Sequence, residues 1–451
     1  MRILIVGAGK VGSTLCDFLE KEGHEIVIID SNQSVDEDIL NKYDVSGIVG
    51  SGANHDILIE AGARKADVII ATTELDEVNI LACLFGKRCG IKYTIARVRN
   101  PEYSNQTKFF NEELNLDMVI NPEYESANEI SRILRLPSAE NIETFANNRV
   151  ELVGIKLKED SLIINHSLRE IRNKLKTKFL VCAVERDGIA IIPKGRFVLQ
   201  AEDIVYVTGS KGEILNLFKE LGIFKNRAKK ITIIGGGVIS YYLAKQLIDS
   251  NCKVKIIEID RDRCYELKQL LPNASIIEGD ASDRELLLEE GINETDAFIT
   301  LTGLDEENII LSLYAKHQNV SKVITKINKI SYYDILSNLN LSSIISPKII
   351  TANNILRYIR SLQNAYQSRV ETLYKLINNQ VEALEFLITQ DGPITNIQLK
   401  DLNLKDDLLI AVIIRGTKII IPTGDDLIMP QDRVIIVTTN QNINDFEMII
   451  Q

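Results

Sequence analysis

Near the start of the chain, Gly7-Ala8-Gly9-Lys10-Val11-Gly12 places glycine at the first, third and sixth positions of a short run. It follows an apolar, strand-like segment, Arg2–Val6, and opens the helix-patterned segment Val11–Glu22, with Leu15, Phe18 and Leu19 on one face. In that context each glycine has a reason. Gly7 allows a tight turn, Gly9 lets a phosphate approach the backbone, and Gly12 lets the helix pack on the strand. The N–H groups that open such a helix lack partners and attract an anion. Asp30 closes the second strand, 18 residues after Gly12. A carboxylate there accepts hydrogen bonds from ribose hydroxyls and repels a 2′-phosphate, which disfavours NADP. The implied chemistry is nucleotide binding.

The pattern recurs. Ile3–Gly9 matches Ile231–Gly237 at an offset of 228, and Asp30 falls on Glu258 at the same offset. Gly62, Asp67, Asp76, Asn79 and Arg97 fall on Gly291, Asp296, Asp305, Asn308 and Lys326 at 229, as do Pro193 on Pro422 and Asp203 on Asp432. The chain is therefore two copies of one module. The second loop reads Gly235-Gly236-Gly237-Val238-Ile239-Ser240, with serine where Gly12 stands. Serine is small, so packing survives there with slight spreading. The second copy either binds a nucleotide, with Glu258 on the ribose, or is kept for its fold.

Further candidates lie at strand tips. Thr72 and Thr73 end the fourth strand, where hydroxyls touch ribose or phosphate, although threonine is also ordinary strand chemistry. Thr302 is the counterpart of Thr73. Arg97, on the fifth strand, can reach phosphate oxygens across the crevice, and Lys326 keeps the charge; a salt bridge to a nearby loop is the alternative. Glu74–Glu77 reads as helix N-terminal charge.

These residues need strands and helices to hold them. Strand runs at Arg2–Val6, Glu25–Ile29, Gly47–Val49, Asp67–Thr72, Tyr93–Val98 and Met118–Ile120 alternate with helices, which predicts a parallel sheet covered on both faces. The second part of each module has another pattern. Val150–Leu157, Phe179–Glu185, Ile189–Ile192 and Ile204–Val207, with a turn at Arg186-Asp187-Gly188 and a helix over Glu213–Leu221, predict a small α+β domain. The second copy repeats it with Val381–Ile388, Leu408–Ile414, Lys418–Ile421 and Val434–Val437. The fold class is α/β: two tandem Rossmann-like parallel-sheet domains, each followed by a small α+β domain. The expected boundaries are 1–121, a crossover helix at 122–141, and 142–224; then 229–347, a crossover helix at 348–367, and 368–451. Lys225–Lys230 is the expected linker. Apolar positions Ile130, Ile133, Leu134, Ile355, Leu356 and Ile359 sit at helical spacing and are expected where the modules meet.

Composition excludes other classes. Among 451 residues the net charge is −11, with no basic tract, so no nucleic-acid partner is expected. The longest apolar runs fall far short of the roughly 20 residues of a membrane span. The start runs straight into a strand, so no signal peptide is expected and the chain reads as cytoplasmic. The six cysteines show no CxxC spacing and read as reduced, mostly buried thiols. The four isolated histidines give no metal site. No acid/base constellation repeats between the copies, and GxSxG, Walker A and HExxH patterns are absent, so no catalytic residues are expected.

On these residues the chain resembles the TrkA family, the cytosolic regulatory subunit of the bacterial and archaeal Trk potassium uptake system, with each module resembling an RCK domain. The resemblance spans the full length. It rests on Gly7–Gly12 with Asp30, Gly62, Asp67 through Asn79, Ala96-Arg97, Gly235–Gly237, Ile257-Glu258, Gly279–Asp283 and Asp305–Asn308. It implies binding of NAD(H), or of ATP and ADP, by Gly7, Ala8, Gly9, Lys10, Val11, Gly12, Asp30, Thr72, Thr73 and Arg97. The second set it implies is Gly235, Gly236, Gly237, Val238, Ile239, Glu258 and Lys326. It implies a non-enzymatic regulator that forms a homo-oligomeric ring, expected as a tetramer, on the inner face of the membrane beneath a TrkH/TrkG-like potassium-translocating subunit. The alternatives are a regulator of another cation transporter or antiporter, and an NAD-dependent oxidoreductase.

Overall fold

Short runs of Ile, Leu, Val and Ala between polar turns form strands that are buried on both faces. The structure is a computed structural model and describes the chain apart from residues 34–38, 105–106, 137–138, 140, 146–148, 224–227, 330–338, 340, 342, 368–369, 378–379, 441–442, 444 and 451. In the first half, β1 (Arg2–Val6), β2 (Glu25–Asp30), β3 (Ser46–Val49), β4 (Val68–Ala71), β5 (Tyr93–Arg97) and β6 (Met118–Ile120) form a parallel sheet. Its order is β3-β2-β1-β4-β5-β6, which puts the strand-order reversal beside β1, where the glycine loop begins. Then β7 (Asn141–Phe145), β8 (Val150–Lys156), β9 (Leu180–Arg186), β10 (Ile189–Ile191) and β11 (Ile204–Ser210) form an antiparallel sheet ordered β10-β9-β11-β8-β7.

The second half repeats both sheets. β12 (Lys230–Ile234), β13 (Lys253–Glu258), β14 (Ser275–Glu278), β15 (Ala297–Thr300), β16 (Lys322–Lys326) and β17 (Ile344–Ile345) are parallel, ordered β14-β13-β12-β15-β16-β17. β18 (Val370–Leu376), β19 (Val381–Leu387), β20 (Leu408–Arg415), β21 (Lys418–Ile420) and β22 (Arg433–Thr438) are antiparallel, ordered β18-β19-β22-β20-β21. The expected α/β class with two Rossmann-like sheets is thus present.

Four features differ from the sequence-based expectation. The first crossover helix runs over Pro122–Arg135 rather than to 141. Pro137 disfavours helical backbone at Leu136, and β7 begins at Asn141. The second runs over Pro347–Gln367, one residue longer than expected. The edge strands β7 and β18 escape the sequence pattern, because their sequences mix polar and apolar residues without a clean run. Of the linker expected at Lys225–Lys230, residues 225–227 lie outside the described residues, and Lys230 already belongs to β12.

The chain divides into two compact units that pair like with like across the repeat. One comprises Met1–Ser131 and Ala228–Leu356, the two parallel-sheet lobes. There Tyr242 packs edge-on against Tyr124 with ring centroids 5.4 Å apart, and its hydroxyl accepts from Asn121 Nδ2 at 3.1 Å. Gln246 Nε2 donates to Asn128 Oδ1 at 2.8 Å, and Ile130 and Ile355 are fully buried. The other unit comprises Arg132–Arg227 and Arg357–Gln451. Its shared core brings Val150, Leu152 and Tyr206 together with Val381, Val412 and Val437. In each lobe of that unit an arginine grips a buried aspartate through two nitrogens: Arg186 with Asp203 at 2.7 and 2.7 Å, and Arg415 with Asp432 at 2.9 and 2.8 Å.

Candidate nucleotide sites

Each glycine loop connects the first strand of its sheet to the following helix, Lys10–Lys21 in one half and Val238–Asp249 in the other. Gly7 and Gly235 turn the chain with φ of +97° and +91°, a region that favours glycine. A Cβ on Gly7 would lie 2.8 Å from the Thr73 nitrogen, and one on Gly235 would lie 3.1 Å from Leu301 backbone atoms. The loops therefore nest against the β4 and β15 tips. Gly9 and Gly237 are the N-caps of their helices, and neither helix has a side-chain cap or an acidic residue in its first turn. No protein atom lies within 4 Å of where a Cβ on either would sit. The backbone donors thus face open space, the cradle a phosphate requires. Nearby helices are closed differently: Asn54, Asp260 and Asp283 cap theirs.

The sixth position distinguishes the two loops. A Cβ on Gly12 would lie only 2.0 Å from the Gly7 carbonyl oxygen. At that place in the second half, the Ser240 hydroxyl donates to the Gly235 carbonyl at 2.5 Å. The helix there stands off enough to admit a side chain and ties it to the loop.

The acidic residues at the β2 and β13 ends hold their own loops. Asp30 accepts from the Ala8 N–H at 2.7 Å and the Asn32 N–H at 2.8 Å. Glu258 accepts from the Gly236 N–H at 2.5 Å and the Asp260 N–H at 2.8 Å. Each oxygen keeps a lone pair for a ribose hydroxyl. Sequence reasoning missed Arg263, whose Nε donates to the Gly236 carbonyl at 2.7 Å. Its position in the first half, residue 35, lies outside the described residues.

The strand-tip candidates separate. The Thr72 hydroxyl points at the Gly7 carbonyl, 3.2 Å away, and the residue is 4% exposed, so it braces the loop. Thr73 is half-buried; its N–H and hydroxyl donate to Asn79 Oδ1 at 2.8 and 2.7 Å. Asn79 Nδ2 donates in return to the Thr73 and Arg97 carbonyls at 3.1 and 3.0 Å. Asn308 repeats the staple on Thr302 and on the Lys326 carbonyl. Asp76 is more than helix charge: it is buried and accepts from the Arg99 and Asn100 N–H groups at 2.9 and 2.8 Å, as Asp305 does from Asn328 and Lys329. The repetition of Asp and Asn across the halves was the available signal.

Arg97 Nη1 donates to the Thr73 carbonyl at 3.2 Å, which sets the guanidinium beside the first loop. Burial lowers its pKa, and its Nε is buried without a partner. Lys326 Nζ lies 3.4 Å from the Leu301 carbonyl, beside the second loop, and burial lowers its pKa too. Lys10 is exposed, whereas Val11 and Ile239 are buried and Val238 is half-buried. The last three offer the ligand backbone rather than side chain.

Profiles of known families match all four lobes of this arrangement. The TrkA-N domain matches residues 3–122 and 231–347, and the TrkA-C domain matches 152–222 and 383–451. The chain belongs to the TrkA family. Among relatives of this TrkA-family chain, the Trk system potassium uptake protein TrkA homolog of Archaeoglobus fulgidus is 33% identical over 100% of both chains. The Trk system potassium uptake protein TrkA of Haemophilus influenzae is 30% identical over 100% of this chain and 99% of its own. Among solved structures, the GsuK channel bound to NAD matches 98% of this chain and 77% of its own, with a TM-score of 0.65 at 18% identity. The GsuK RCK domain matches 98% of this chain and 92% of its own, with a TM-score of 0.64 at 18% identity. The structural likeness establishes a shared RCK fold.

Proposed function

We propose that this TrkA-family chain is a nucleotide-sensing regulatory subunit of a Trk-type potassium uptake system. The observation that carries the reading is the pair of open loops. Gly9 and Gly237 each leave space for a phosphate above an uncapped helix, with a ribose acceptor, Asp30 or Glu258, at the neighbouring strand end. The ligands are NAD(H), or ATP and ADP. The role is regulatory rather than catalytic: bound nucleotide shifts the balance between two shapes of a homo-oligomeric ring, and the ring acts on a membrane potassium-translocating partner from the cytoplasmic face. A ligand shifts that balance only by its difference in affinity for the two shapes. No helix among the described residues is long and apolar enough to cross a membrane.

The test is a thermal-shift and calorimetry panel of NAD, NADH, ATP, ADP and NADP on the full chain. A ligand at 100 times its Kd adds about 2.7 kcal/mol of stability. Gly9→Asp and Gly237→Asp place a carboxylate where the phosphate would sit, in space no protein atom fills, so each removes one site while the fold survives. Absence of any shift in the wild type, or shifts that survive both substitutions, overturns the nucleotide reading. Turnover of NAD with an added alcohol or hydroxy acid overturns the non-catalytic one.

A further inference from the structure

The two antiparallel-sheet lobes share a fold but not a charge. In the first, helix Leu168–Lys174 starts against the loop that precedes β11: the Leu168 N–H donates to the Phe197 carbonyl and the Arg169 N–H to the Gly195 carbonyl, both at 3.0 Å. In the second, the one-turn helix Leu399–Asp401 is held the same way, by the Leu399 N–H on the Asp426 carbonyl at 3.0 Å and the Lys400 N–H on the Gly424 carbonyl at 2.9 Å. These bonds set Arg169 opposite Lys400 in the repeat, and Arg196 opposite Asp425. Arg172, three residues past Arg169, falls on Asn403. The pairings Thr208 with Leu180 and Val437 with Leu409 then set Lys178 on Asp407.

The same framework therefore carries opposite charge. Lys400 Nζ pairs with Asp425 Oδ1 at 2.9 Å in the second lobe, whereas both positions are arginine in the first. Neighbouring like charges repel, so the fold gains nothing from that exchange. Arg169, Arg172, Lys176, Lys178 and Arg196 are all exposed, and none has an ion pair among the described residues. The carboxylates that touch this segment are engaged. Glu170 accepts from the Ser167 N–H and hydroxyl, each at 2.7 Å, and Glu220 from the Lys176 and Thr177 N–H groups at 3.2 and 3.3 Å. Asp406 of the second lobe pairs with Lys194 at 3.1 Å.

Five bare cations stand out on a chain of net charge −11. From Arg169 to Lys178 they follow a helix and then extended chain, a contour of roughly 20 Å. That is too long for one small anion and suits a surface of many negative charges. We infer that this strip of the first antiparallel-sheet lobe docks on an anionic lipid bilayer, and that the second lobe does not. Acids elsewhere on the chain do not prevent it, because charges more than about 8 Å away are largely screened at physiological salt. Each Lys or Arg held near an anionic leaflet strengthens binding by roughly fivefold. The choice of a bilayer as the polyanion rests on the reading of this chain as a regulator at the cytoplasmic face of a membrane, where the leaflet is anionic.

The test is co-sedimentation of the full chain with vesicles of phosphatidylcholine alone or of equal parts phosphatidylcholine and phosphatidylglycerol. The chain is expected to bind the second kind and not the first, and to be released at about 1 M salt, where screening acts within about 3 Å. Arg172→Asn with Lys178→Asp and Arg196→Asp gives the strip the second lobe's residues, and binding should fall about a hundredfold or more. The milder pair Arg169→Gln and Arg196→Gln should cost about tenfold or more, and an unchanged thermal midpoint shows that it still folds. A wild type that ignores anionic vesicles, or variants of either kind that bind them as tightly, overturns the inference. So does salt-sensitive self-association that both variants abolish without any binding to vesicles, since the strip would then serve another copy of the chain. Nucleotide binding without vesicle binding overturns this inference alone; vesicle binding without any nucleotide binding leaves it standing and removes the sensor reading.

Discussion

The Ala8 N–H donates to Asp30 Oδ2 at 2.7 Å, so the carboxylate expected to meet a ribose also fixes the loop that would meet the phosphate. The Gly236–Glu258 bond repeats the device. Asp30→Ala removes both functions at once. NAD affinity is expected to fall by about tenfold or more, since loss of a hydrogen-bonded charged partner commonly costs about 1–3 kcal/mol. The preference for NAD over NADP should narrow, because the 2′-phosphate no longer meets a carboxylate. Titration of both dinucleotides into wild type and variant checks this. Equal affinity of the wild type for the two would show that Asp30 does not read the 2′ position.

The sixth loop position gives an asymmetric prediction. Gly12→Ala puts a methyl 2.0 Å from the Gly7 oxygen, so backbone must move. Overpacking of this kind costs about 1–3 kcal/mol. Ser240→Gly removes one hydrogen bond of 2.5 Å and fills nothing, at about 1 kcal/mol. Thermal unfolding should rank Gly12→Ala as the more damaging, and it should also lose nucleotide at the first site. The reverse ranking would mean that the two helices approach their loops alike.

Asn79 is fully buried and ties together the strand tips that carry Thr73 and Arg97. Asn79→Ala leaves the Thr73 N–H and the Arg97 carbonyl without that partner, at about 1–3 kcal/mol for each buried group left unsatisfied. First-site affinity should fall although Asn79 contacts no ligand, while the second site, with its own Asn308, keeps its affinity. Site-resolved binding in the Gly9→Asp and Gly237→Asp backgrounds distinguishes this from general loosening, which would lower both sites together.

Much of this was legible in the sequence because the signals are local. The glycine spacing, the acid closing β2 and the repeat offset of 228 required no tertiary knowledge, and helix Lys10–Lys21 lies within a residue of the segment they predicted. Thr72 shows the limit: it and Thr73 are neighbours in the sequence, yet one hydroxyl points at the Gly7 carbonyl and the other at Asn79 Oδ1. Asp76 looked like helix charge because its partners, the Arg99 and Asn100 N–H groups, are 23 and 24 residues away. Arg263 was invisible for the same reason, since its partner, the Gly236 carbonyl, is 27 residues away. The repeat offset drifts beyond β16, so the two crossover helices align only once the β5–β6 and β16–β17 registers are known.

Buried thiols supply a probe of each region. All six cysteines are free, and burial pushes Cys16 and Cys83 up to about 12. At pH 8 such a thiol is ionised about one part in ten thousand, and the thiolate is the reactive form. Alkylation of Cys16 in the native protein must therefore proceed through opening of helix Lys10–Lys21, the helix that carries the first glycine loop. Cys89, only half-buried, should react first. A nucleotide that binds the closed loop and not the opened one slows Cys16 by the factor by which it stabilises the closed form, about a hundredfold at 100 times Kd. Cys83 lies on helix Asp76–Arg88, which does not carry the glycine loop, and should be slowed less unless opening is global. The check is mass-spectrometric alkylation kinetics with and without NAD. If Cys16 reacts at the same rate while calorimetry shows NAD bound at the first site, the ligand does not rest on this helix, and the phosphate cradle at Gly9 is wrongly placed.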